Sequence, residues 1–189
     1  MTDSNITNKQ IENQVRQWLE QVVIGLNLCP FASKPYQDQL IRITIADCQG
    51  ENCLLADLET ELSLLAEKPA TEIETTLLVV PNMFRSFDDY NQFLSDVDDR
   101  IEQLGYQGIF QVASFHPNYQ FGGTLPEDDE NLTNRAPYPV LHLIREASLE
   151  RALKHYPNPE QIPDNNIERV CNLTPEEKQQ LFPYLFSPH

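Results

Sequence analysis

The chain is short of glycine and short of positive charge. It has six glycines against fourteen prolines, so its loops are expected to be stiff rather than linker-like. It carries no Gly-rich phosphate loop, no GxSxG and no HExxH, which removes the motif-level arguments for a nucleotide cradle, a serine-hydrolase elbow or a zinc peptidase. Thirteen Lys and Arg face 29 Asp and Glu, for a formal net charge of −16. Recognition of a nucleic-acid backbone needs clustered cations, so the charge argues against a nucleic-acid partner. A small basic pocket inside an acidic chain stays open, and with it a small anionic molecule as ligand. No apolar run approaches the roughly eighteen residues of a membrane span, and no basic segment followed by an apolar one opens the chain. The expectation is a soluble cytoplasmic protein without a membrane partner.

Cysteine is also sparse. Cys29 and Cys171 are isolated, and Cys48 and Cys53 are spaced CxxxxC, too loosely for a paired-cysteine zinc site. In a cytoplasmic chain free thiols are the default.

At 189 residues the chain suits one domain with a real core. We place that core at about 7–156, with a helical extension over 157–189. Residues 7–26 repeat apolar side chains at helical spacing behind a Thr7/Gln10 capping box, with Gly25 and Asn27 as stop signals. Pro30 and Pro35 prevent continuation of that helix. Strands are expected at 40–46, 76–80 and 109–115, and helices at 54–66 and 87–104. Residues 76–80 are almost continuously apolar, as in a strand buried on both faces. Strand-to-strand connections this long suit crossover helices and parallel pairing. The expected class is α/β, a small mostly parallel sheet flanked by helices. The alternative is α+β with an antiparallel edge strand near 118–121. A helix is expected over 139–156, with shorter helices at 159–170 and 174–185.

The candidate site follows from that arrangement. In parallel sheets ligands gather beyond the carboxyl ends of the strands, which makes Arg85 and His116 candidate neighbours. His116 suits a general acid or base. On a helical wheel at about 100° per residue, His142, Arg145 and Glu146 share one arc that continues as Leu149 and Leu153. The arc is therefore expected to point inward, with Glu146 orienting His142. Asn134 and Arg135 lie just upstream, and Arg135 and Arg145 suit two-pronged recognition of a carboxylate or phosphate. His116, His142 and Glu146 would also make a two-His, one-carboxylate metal set. Cys29 is the alternative nucleophile, although its apolar flanks Leu28, Pro30 and Phe31 favour an inert thiol. The residues do not identify a cofactor.

Three stretches, GLNLCPFA, FHPNYQF and NRAPYPVLHLIREASLERAL, resemble signatures of a bacterial family known as domain of unknown function 1415. The resemblance covers about residues 11–156. It implies a small single-domain bacterial protein and brings no activity, cofactor or partner with it. The functional expectation therefore rests on the residues: an enzyme, a hydrolase or group transferase, acting on a small anionic substrate with His116, His142 and Glu146 as catalytic groups. Asn134, Arg135, Arg145 and Arg85 would hold the substrate. The alternatives are a metal-dependent enzyme and a non-catalytic module that binds a ligand or partner.

Overall fold

The computed structural model describes residues 6–186. Four strands form one sheet: β1 (Ile41–Ile45), β2 (Thr75–Val79), β3 (Phe110–Phe115) and β4 (Val140–Arg145), in the order β1-β2-β4-β3. The three strands expected from the sequence are all present, and Thr76, Leu77, Leu78 and Val79 are fully buried on both faces of β2. β1 and β2 pair in parallel, while β4 runs antiparallel to both β2 and β3. The sheet is therefore mixed. β1, β2 and β3 still point the same way, so their carboxyl ends share one edge.

The main correction concerns residues 139–156. Val140–Arg145 is an interior strand, and only Glu146–Lys154 is helical (α5). The antiparallel strand thus lies in the middle of the sheet, and residues 118–121 form turns and irregular backbone rather than an edge strand.

Each face of the sheet carries its own core. On one face Ile41, Leu77, Val79 and Val140 pack under α1 (Asn8–Trp18), with Val170, Leu173 and Phe182 of the C-terminal segment. On the other, Leu78, Leu141, Leu143 and Phe110 pack under α3 (Glu51–Glu67) and α4 (Phe87–Gln103). The alternation of side chains along each strand makes this division.

The first helix opens on the expected capping box, with Gln10 N–H donating to Thr7 Oγ1 at 3.3 Å and Thr7 N–H to Gln10 Oε1 at 2.8 Å. It does not stay α-helical. Leu19–Ile24 is a π-helical turn, closed by the Gly25 N–H on the Glu20 carbonyl at 3.0 Å. A Cβ on Gly25 would stand 2.3 Å from the Gln21 carbonyl oxygen, so this turn needs glycine there. The first helix does not continue through Pro30, and a separate short helix follows, α2 (Ser33–Gln37), with Pro35 in its first turn, where a missing N–H is harmless.

The tail is helical as expected, with α6 (Ile162–Cys171) and α7 (Pro175–Leu181). α7 opens on a second capping box, between Thr174 and Glu177. Among the described residues no helix is long and apolar enough to cross a membrane.

Candidate functional site

His116, Asn134 and Arg135 come together at the carboxyl edge of the sheet, where β3 runs into the loop that leads to β4. His116 is 1% exposed. Its Nε2 lies 2.8 Å from the Phe84 carbonyl, and its Nδ1 accepts the Asn118 N–H at 2.9 Å. The carbonyl can only accept and the amide can only donate, so the ring is neutral with its proton on Nε2. Its pKa is lowered, first by burial and then by the nearby Arg135 charge, against the opposing pull of the Phe84 carbonyl. Both nitrogens are thus engaged by backbone, and Phe87 and Tyr90 pack on the ring at centroid distances of 5.5 and 5.3 Å.

Phe84 reaches His116 in a left-handed conformation, φ 56°. The next residue, Arg85, is exposed. The bond to His116 comes from its neighbour Phe84 and not from Arg85.

Asn134 ties the loop back to the sheet. Its Nδ2 donates to the Ser114 carbonyl at 3.2 Å, and its own carbonyl accepts the His116 N–H at 3.2 Å. It closes a short 3-10 helix, Asp129–Asn134.

Arg135 follows. Its Nε donates to the Tyr119 carbonyl at 3.3 Å and its Nη2 to the Pro126 carbonyl at 2.5 Å. Its backbone carbonyl accepts from Trp18 Nε1 and Tyr184 OH. The side chain is half-buried, and among the described residues no carboxylate lies within ion-pair distance of it. It lines a cleft of about 380 Å³ with Leu132, Lys178, Phe182 and Phe186, and with the acids Glu127, Asp128 and Asp129, of which Asp129 acts on it through space. Lys178 is paired with Asp129 at 2.5 Å.

The other three expected site residues lie elsewhere, because β4 is a strand. In a strand, positions three apart point to opposite faces. His142 therefore faces the α1 side and Arg145 the α3 side, so no common arc exists.

His142 Nε2 lies 2.7 Å from Thr75 Oγ1, and burial lowers its pKa to about 4 although part of the residue remains accessible. Arg145 caps the C-terminal end of α3. Its guanidinium donates to the carbonyls of Leu65, Lys68 and Ile73 at 2.7, 2.7 and 3.0 Å, and stands over the Phe110 ring. Arg145 pairs in register with Phe110, six residues before His116. That is about 20 Å along the strand. Glu146 begins α5 and lines a separate acidic cleft with Asp98, Asp99 and Glu102.

His116, His142 and Glu146 consequently do not bring three ligand atoms together. Among the described residues the only grouping close enough to hold a metal ion is Cys48, Cys53 and Asp57. Cys48 and Cys53 are joined as a disulfide, against the expectation of free thiols, while Cys29 and Cys171 are free. The Cys29 thiol is half-buried and its pKa is raised by burial, which outweighs the amides of Phe31 and Ala32. That environment suits an inert thiol.

Several contributors were invisible to the sequence reading. Asn131 is fully buried and organises the loop: its Oδ1 accepts from the Phe121 N–H and Thr124 Oγ1, and its Nδ2 donates to the Leu125 carbonyl. Lys178 and Phe182 reach the Arg135 cleft from the tail. The one available signal was the strong helix start at Thr174, which places an ordered α7 there but not its docking site.

A family model described as "Protein of unknown function (DUF1415)" matches residues 10–180. No curated protein and no solved structure matches the chain.

Proposed function

We propose that this chain, which belongs to the DUF1415 family of proteins of unknown function, binds a small organic anion in the cleft at Arg135. The observation that carries the reading is the state of that guanidinium. It is half-buried, it is held by carbonyls alone, and among the described residues it has no ion-pair partner. Burial of a positive charge is costly unless an anion neutralises it. Nε and Nη2 are occupied, which leaves the Nη1 donors for a ligand. The cleft volume falls in the small-molecule range. Leu132, Phe182 and Phe186 supply an apolar wall, so the ligand carries a carboxylate or phosphate on an apolar body.

The reading extends to a cytoplasmic, single-domain protein that engages neither membrane nor nucleic acid. It favours ligand binding over hydrolysis or group transfer, because the His116 nitrogens are already engaged and His142, Arg145 and Glu146 lie apart from the cleft.

A thermal-shift panel of phosphorylated and carboxylated metabolites tests it, since a ligand specific to the native state raises apparent stability. At least one compound should raise the melting temperature of the parent, less so that of Arg135→Lys and not that of Arg135→Met, each measured against its own unliganded baseline. A panel without effect, or an equal shift in Arg135→Met, would sink the reading.

A further inference from the structure

The carboxyl edge of β1 leads into the Cys48–Cys53 disulfide, whose two sulfurs sit in unlike surroundings. Cys48 is 2% exposed, whereas Cys53 is exposed. Cys53 occupies the first turn of α3, two residues after Glu51 at its start. The positive end of the helix dipole there favours a thiolate. Asp57, one turn further along α3 and half-buried, places Oδ2 3.3 Å from Cys48 Sγ.

In the disulfide Cys48 has no proton to donate, so the carboxylate gains nothing from this contact. In the dithiol the Cys48 S–H points its proton at Asp57 and makes a hydrogen bond. The contact therefore favours the reduced form, and an exposed partner sulfur gives reagents access. Disulfides that persist in a reducing compartment are usually of this exchanging kind.

We propose that Cys48 and Cys53 are a redox-active pair, with Cys53 as the sulfur that outside thiols attack and Asp57 as the group that holds the Cys48 proton. The reductant is a dithiol. One of its thiolates attacks Cys53 Sγ, the Sγ–Sγ bond breaks, and the electron pair leaves on Cys48, which takes a proton from solvent and donates it in a hydrogen bond to Asp57. The second thiolate of the reductant then attacks its own sulfur in the mixed disulfide and releases the Cys53 thiolate. Two electrons pass to the chain, and the reductant leaves as its disulfide. In the reverse direction the Cys53 thiolate attacks a partner disulfide, whose S–S bond breaks and releases one partner thiolate. Cys48 then passes its proton to Asp57 and attacks Cys53 Sγ in the mixed disulfide, and the second partner sulfur leaves as a thiolate.

The test uses the full chain with Cys29→Ser and Cys171→Ser, so that only the pair reports. After reduction with dithiothreitol and removal of the reagent, an aromatic disulfide that releases thionitrobenzoate is added. The pair should release two equivalents and re-form its disulfide. With Cys48→Ser added, one equivalent should be released and one should remain attached at Cys53. Asp57→Asn should slow the second release by about tenfold or more. That deficit should shrink as pH rises and Cys48 ionises without help.

Circular dichroism of the oxidised Asp57→Asn chain should match its parent. A pair that stays a mixed disulfide without closing, or an Asp57→Asn chain that closes at the parent rate at every pH, would overturn the proposal. So would about one metal ion per chain that shields both thiols from the reagent, which would make Cys48, Cys53 and Asp57 a metal site instead.

Discussion

His142 Nε2 lies 2.7 Å from Thr75 Oγ1, and the same hydroxyl donates its only proton to the Leu143 carbonyl at 2.5 Å. Thr75 must therefore accept from His142, which fixes the ring proton on Nε2. Protonation of Nδ1 adds a charge to a buried ring on a face lined by Phe115 and isoleucines, and burial lowers the pKa to about 4. The unfolded chain has its histidine pKa near 6.5. Between those values the unfolded state binds more protons, so stability is complete above about pH 6.5 and is lost as pH falls toward 4. With allowance for partial exposure we expect about 2 kcal/mol. Urea midpoints from pH 7 to 4.5 should fall more steeply in the parent than in His142→Gln. That difference isolates His142 from the carboxylates and from His116, whose pKa is also lowered. Parallel curves for the two proteins would contradict this account.

Arg145 is expected to act on stability and not on ligand binding. It joins the last carbonyls of α3 to the Ile73 carbonyl before β2, where a cation also complements the helix dipole. Arg145→Met should cost about 2–3 kcal/mol in urea unfolding, since it leaves several charge-assisted bonds unmade. Hydrogen exchange should show the loss concentrated in the last turn of α3. Any anion-induced thermal shift should survive. Loss of that shift with normal stability would return Arg145 to a binding role.

The outer frame was legible because its elements are locally consistent. Leu54, Leu58, Leu62 and Leu65 repeat at helical spacing, and Leu77 to Val80 form an apolar run between turn signals. β4 was not legible for a physical reason. The sequence Val140-Leu141-His142-Leu143-Ile144-Arg145 satisfies both periods, and Leu149 and Leu153 of the true helix extend a plausible wheel backwards. Pairing decided the matter: a fully buried β2 needs a neighbour on each side, and β1 covers only one. The same error created the supposed arc of His142, Arg145 and Glu146. Asn134 and Arg135 do lie in the connection between β3 and β4, Asn134 at the end of its short 3-10 helix, where no strand or helix period had to be chosen. The disulfide had a signal in the CxxxxC spacing, overruled by an expectation about compartment.

Gly25→Ala should destabilise the chain although its φ of −61° is open to any residue. The obstacle is contact and not conformation: the new Cβ meets the Gln21 carbonyl oxygen at 2.3 Å and the Glu20 carbonyl oxygen at 3.2 Å. Both are backbone and cannot swing aside, so the π-helical turn must open or rewind. Overpacking of this kind costs about 1–3 kcal/mol. Hydrogen exchange should show lower protection of the Gly25 region, including the Leu28 amide bonded to the Val23 carbonyl. An alanine variant as stable as the parent would mean that the turn can relax without loss.

Thr76→Val should stabilise the protein. Thr76 sits in the centre of the sheet, beside Arg42 on β1 and Leu143 on β4. It is fully buried, and its hydroxyl has no hydrogen-bond partner among the described residues. A buried hydroxyl without a partner costs about 1–3 kcal/mol relative to its hydrated state. Valine has the same branched shape and keeps the same stiff χ1 preference, so it removes the cost without opening a cavity. The urea midpoint should rise by an amount equivalent to about 1 kcal/mol with the slope unchanged, which marks a change in stability and not in the extent of unfolding. Thr76→Ser provides the opposite control. It keeps the hydroxyl and deletes a buried methyl, so it should lower the midpoint. If valine lowers it as well, the hydroxyl is bonded in solution and its loss is what the variant reports.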